Sequence, residues 1–186
     1  IKMKLNKCMK KIIFYEGDFD QHKGKFLNSL IRYKRNEIIG VYSPKPSYTL
    51  KSYLSKQKIK LFNSIDKIPS AKEIIIADLH FDKEILSDKI KIFEEFLIKG
   101  FIIVNGGHFF LKPYFPKYSK KVIDLRNNTS NQCLFKGSLF KKKDQKRILT
   151  VGMDCNIGKM TASLEIYKYL KEKGFEVVIL DNLSSG

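Results

Sequence analysis

The clearest chemical signature lies at residues 148–161, Ile-Leu-Thr-Val-Gly-Met-Asp-Cys-Asn-Ile-Gly-Lys-Met-Thr. A β-branched run leads into Gly152, five residues separate it from Gly158, and Lys159 follows at once. Glycines at both ends let successive backbone amides turn into one concavity, and a helix opening near Lys159 adds the positive end of its dipole. Lys159 supplies a mobile charge, and Thr161 offers a hydroxyl to a phosphate oxygen or, if the ligand is ATP with magnesium, to the metal. This is a phosphate-binding P-loop, with Gly152, Asp154, Asn156, Ile157, Gly158, Lys159, Met160 and Thr161 as the expected cofactor-binding set. It departs from the strict GxxxxGK[ST] pattern in its longer spacing and in Met160 at the usual Ser/Thr position.

Other candidates are single residues. His108 follows Gly106 and Gly107 directly after an apolar run, where an α/β sheet presents functional side chains, and it joins Asp154 as a catalytic candidate. Lys25 and Arg32 stand seven apart, hence on one helix face, and with Arg126 they are candidate anion contacts for a substrate. Asp124 and Arg126 alternate across a strand end, and their pairing with each other or anchoring of the linker is favoured over substrate contact. Cys155 sits near a helix start but reads as filling space.

The elements that must position these residues follow from periodicity. Short apolar runs at 12–15, 38–42, 74–77, 101–104, 122–125, 148–151 and 177–180 predict strands. Helical spacing appears in Phe26, Leu27, Leu30 and Ile31, in Leu86, Ile90, Phe93 and Leu97, and in Met160, Leu164 and Tyr167. Strands alternating with helices predict an α/β fold with a mainly parallel sheet. The polar stretch 127–146 breaks the alternation, so a Rossmann-like domain is expected over 1–126, a linker over 127–146, and the beginning of a P-loop NTPase-like α/β domain over 147–186. Some forty residues are too few for an independent core, so the last part reads as truncated, with apolar strand faces available for association into a homo-oligomer.

Bulk properties narrow the class. The 186 residues are 43% hydrophobic, which is globular, and no run approaches a membrane span or a secretory signal, so a cytoplasmic protein is expected. The three cysteines are far apart and form no CxxC, against both a disulfide framework and a zinc site. The formal charge of +17 invites a nucleic-acid reading, yet only four of 36 basic residues are arginine and the lysines are scattered. A basic RNA-binding module would need clustered arginines and stacking aromatics, which the sequence does not offer.

Asp154 after Gly152 makes the loop similar to that of dethiobiotin synthetase, which reads Gly-Thr-Asp-x-x-x-Gly-Lys. The longer stretch from Leu149 to Thr161 resembles the signature of the DgcN family, associated with D-glutamate N-acetyltransferase activity. Three further stretches match in order. Lys25, Leu30, Ile31 and Arg32 fall in the family's Lys-Thr-Ala-x-Gly-Leu-Ile-Arg, Asn105-Gly-Gly-His-Phe-Phe-Leu111 resembles its Ser-Gly-Leu-His-x-Phe-Leu, and Ile123-Asp-Leu-Arg126 its Asp-Val-Arg. Departures fall at Asp78, Leu79 and His80, where the family has a Pro- and Gly-rich loop, and at the end, Asp181-Asn-Leu-Ser-Ser-Gly186. The resemblance implies a Rossmann-like domain followed by a P-loop domain, and an enzyme moving acetyl from acetyl-CoA to a small-molecule acceptor, a D-amino acid. The dethiobiotin synthetase likeness implies instead a ligase or kinase using ATP with magnesium.

Overall fold

A computed structural model of the chain describes residues 10–20, 24–69, 71–77, 83–107, 109–127, 146–153 and 158–179. The chain divides into two units, Ile1–Gln132 and Cys133–Gly186. Apart from its ends, the expected linker 127–146 lies outside the described residues.

In the first unit, six strands form one parallel sheet in the order β3-β2-β1-β4-β5-β6. They are β1 (Lys11–Phe14), β2 (Ile38–Tyr42), β3 (Leu61–Phe62), β4 (Glu73–Ile76), β5 (Ile102–Asn105) and β6 (Val122–Asp124). This is the doubly wound order of dinucleotide-binding folds, which reverses direction between β1 and β4. Near-continuous Ile, Val and Phe in the central strands reflects burial on both faces, since parallel sheets are covered on each side.

The pleat sends alternate residues to opposite layers. Ile12, Phe14, Ile74 and Ile76 face α3 (Lys83–Ile98) and pack on its Phe93, Phe96 and Leu97. Ile13, Tyr15, Val41 and Ile75 face the other way, onto Leu27 and Ile31 of α1 (Lys25–Tyr33) and Leu50 and Leu54 of α2 (Tyr48–Lys56). Helix α2 and strand β3 were not anticipated from periodicity. The connection from β5 to β6 contains 3-10 turns at Lys112–Tyr114 and Pro116–Tyr118 rather than a helix, and Leu111 and Phe115 close the α3 layer there.

The second unit contains α4 (Lys159–Glu172). The strands expected at 148–151 and 177–180 are not found among the described residues, and the sequence reading is corrected there. A strand exists only by pairing its N–H and C=O groups with a neighbour, and here no described residue pairs with 146–153 or 175–179. Their apolar side chains stay open to solvent, with Leu149 at 83% and Val178 at 79% exposure.

Candidate functional site

The loop that opens α4 has its ends drawn together. Thr150 Oγ1 lies 2.7 Å from Ser163 Oγ, and Ser163 Oγ in turn donates to Lys159 O at 3.2 Å. Gly158 caps the helix at φ +93°, in the left-handed region. A Cβ there would touch nothing within 4 Å, so the glycine is demanded by backbone conformation and not by crowding. Among the described residues no side chain caps α4, and no acidic residue lies in its first turn, so its first-turn amides and dipole end meet no carboxylate of the helix itself.

Lys159 is half-buried at the first helical position, while Met160 and Thr161 are exposed beside it. Gly152 is exposed in irregular chain, with Met153 fully exposed after it. Asp154, Asn156 and Ile157 lie outside the described residues. The described ends of the loop fit an anion: a left-handed glycine, an uncapped helix start and a lysine at its head. Thr161 is in the same turn and can present its hydroxyl to a phosphate oxygen or a metal.

A second set of groups lies along the carboxyl edge of the first unit's sheet. Asn105, buried at the end of β5, donates from Nδ2 to Phe109 O at 2.6 Å and to Asp124 Oδ1 at 2.7 Å, and its Oδ1 accepts from Gly107 N at 2.9 Å. Asp124 also accepts from Leu111 N at 3.0 Å and Lys112 N at 2.9 Å. Its carboxylate is therefore the clamp of the loop after β5. Arg126 Nε donates to Gly106 O at 3.3 Å.

Gly106 also meets α1, because a Cβ on it would approach the Phe26 ring at 2.9 Å. The loop after β5 thus brings Arg126 and the start of α1, with Lys25, to one edge of the sheet. Arg32 does not join them. Seven residues of helix carry it about 10 Å toward the opposite edge, where it is exposed with its guanidinium 5.5 Å from the Tyr33 ring. His108, the catalytic candidate on this loop, is outside the described residues.

Two further groups escaped sequence reasoning. Glu16, just beyond β1, forms an ion pair with Lys89 of α3. Burial holds the Lys89 ammonium below the usual lysine range. Ser43, just beyond β2, is completely buried, and its Oγ has no hydrogen-bond partner among the described residues. Nothing in spacing marks such residues: Glu16 reads as the first polar residue after a strand, and Lys89 as one more lysine on a helix. Among the described residues no group of three or more His, Cys, Asp or Glu is arranged to hold a metal, and no helix is long and apolar enough to cross a membrane.

Comparison with known proteins bears on the loop region most directly. Residues 134–182 match the family described as "Domain of unknown function (DUF1611_C) P-loop domain". The chain is 34% identical over 94 residues to a D-glutamate N-acetyltransferase from Pseudoalteromonas sp, a match covering 47% of this chain and 27% of the relative. The chain therefore spans little more than a quarter of the relative it matches.

Proposed function

We propose, from the DgcN-like family assignment that both comparisons support, that the chain takes part in acetyl transfer from acetyl-CoA to the amino group of a D-amino acid such as D-glutamate. The observation that carries the cofactor half of this reading is the start of α4, where left-handed Gly158, an uncapped first turn free of acidic residues and Lys159 coincide. Coenzyme A carries a phosphorylated adenosine diphosphate, and these groups fit its phosphates. Bound acetyl-CoA supplies an activated thioester carbonyl.

The chain's own contribution is positional. First-turn amides and Lys159 hold phosphate oxygens, Gly152 and Gly158 shape the loop, and Asp154, Asn156, Ile157, Met160 and Thr161 complete the assigned set. An acceptor ammonium must lose a proton before its nitrogen can attack, and His108 and Asp154 are the proposed groups for that step. Lys25 and Arg126 are retained as proposed contacts for acceptor carboxylates, and Arg32 is not.

A second reading rests on Thr161, exposed in the first turn of α4 one residue beyond the usual Ser/Thr position, whose hydroxyl is the proposed magnesium ligand of an ATP-dependent ligase or kinase. Calorimetric titration separates the two. Saturable heat with acetyl-CoA in the absence of magnesium, together with formation of an N-acetylated amino acid, supports the acetyltransferase. Binding of ATP that requires magnesium, with acetyl-CoA inert, replaces it with the ligase reading.

A further inference from the structure

Glu16 and Lys89 meet at the reversal point of the sheet. Glu16 follows the carboxyl end of β1, and Lys89 belongs to the helix that follows β4, so the pair joins the two strands between which the order changes direction. In open α/β sheets that crevice is where ligands bind. The side chains are only 19% and 11% exposed, and Glu16 Oε2 makes no hydrogen bond among the described residues beyond its ionic contact with Lys89.

A carboxylate has about four lone-pair sites and an ammonium three protons, and among the described residues Glu16 Oε2 has only this ionic contact, in a setting that withdraws both side chains from most of their water. Attraction between buried charges offsets desolvation only when the remaining positions are also filled. The lowered basicity of Lys89 reflects its burial.

The geometry points to a ligand site at this pair for a zwitterionic α-amino acid, whose carboxylate engages Lys89 and whose ammonium engages Glu16. A simple anion would satisfy Lys89 and be repelled by Glu16, and a simple cation would do the reverse. A dipolar ligand gives each charge a further partner without adding net charge to the pair. Asp18, two residues beyond Glu16, does not compete for the amine in the same way, because its Oδ1 lies 3.3 Å from the Thr49 hydroxyl, which donates to it. Both Glu16 and Lys89 belong to the first unit. The choice of D-glutamate as probe rests on the acceptor proposed above, whereas the ligand class rests on the ion pair.

The test is calorimetric titration of the chain carrying both units, without acetyl-CoA, against D-glutamate, glutarate and N-acetyl-D-glutamate. The site predicts that D-glutamate binds, and that glutarate, which lacks the amine, and the N-acetylated form, which has lost its charge, bind at least roughly tenfold more weakly. Glu16→Gln and Lys89→Met should each weaken D-glutamate by about tenfold to a hundredfold. The double variant removes both buried charges, so it should unfold at a urea midpoint near the parent's while losing the ligand. That combination separates a binding pair from a tether between loop and helix. The proposal is overturned if the folded parent shows no saturable binding of D-glutamate up to about 10 mM, if the three probes bind alike, or if the folded double variant binds as the parent does. Because acetyl-CoA is absent from this titration, a failed phosphate loop appears only in the separate acetyl-CoA titration.

Discussion

Asp124 shows how much one side chain can organise. Its carboxylate accepts from Asn105 Nδ2 and from two backbone amides, those of Leu111 and Lys112, in the connection from β5 to β6. Asp124→Ala should lower stability by about 2 kcal/mol, the cost of stranding donors that had a charged acceptor, read as a shift in the urea midpoint. Asp124→Asn, which keeps one acceptor oxygen, should cost less. At the opposite edge, Lys11 bridges Glu37 at 2.9 Å and Glu73 at 3.4 Å. Burial opposes the charge on Lys11, but the two carboxylates outweigh it and raise its pKa, while the Lys11 hydrogen bond lowers that of Glu37. The raised lysine stabilises the fold fully below its unfolded value of about 10.4, and this is lost as pH rises through its folded value. The lowered glutamate stabilises above about 4.3, and this is lost as pH falls through its folded value. Lys11→Met should therefore flatten both flanks of the stability profile; a profile as steep as the parent's would show that other groups set it. Asp124 was legible as a strand-end residue with a structural role, but its three donors were not, because two are backbone amides of a loop with no periodicity.

Among the elements, those with strong periodicity were readable and those set by tertiary context were not. Helix α3 repeats its apolar residues at Ile90, Phe93 and Leu97, and α1 at Leu27 and Ile31, so their buried faces are written in spacing. Helix α2 offers only Leu50 and Leu54 after two prolines, and its start depends on Ser47, whose hydroxyl accepts from Leu50 N at 3.2 Å and donates to Gly17 O at 2.9 Å. Ser47→Ala should cost about 1 kcal/mol in a thermal or urea melt. Strand β3 is two residues long and lies against β2 at Gly40, where a Cβ would stand 2.4 Å from the Phe62 ring and 2.7 Å from Lys60 O. A flexible ring could yield, but a backbone oxygen in the neighbouring chain cannot without moving the strand. Gly40→Ala should destabilise by about 1 to 3 kcal/mol, and an unchanged melt would mean that β3 does not hold this register. The runs at 148–151 and 177–180 carry as much β propensity as those of the first unit, yet propensity needs a pairing partner, and the described residues provide none.

For the whole molecule, alternation of strand and helix points to the α/β class, and the spacing of Gly152 from Gly158-Lys159 points to a P-loop. What spacing could not convey was convergence: which of Lys25, Arg32 and Arg126 share an edge, or that Glu16 meets a lysine seventy-three residues away. The charge of +17 poses the alternative the central claim must survive, because a diffuse basic surface also attracts phosphates. The most direct measurement is the affinity of acetyl-CoA, by calorimetry, for the parent, Lys159→Ala and Lys142→Ala at low and high salt. Loss of one charge-assisted contact predicts that Lys159→Ala binds about tenfold to a hundredfold more weakly, while Lys142→Ala, in the lysine run 141–143, changes little. Equal weakening by both substitutions, with binding abolished by salt, would contradict the account and assign the attraction to diffuse charge.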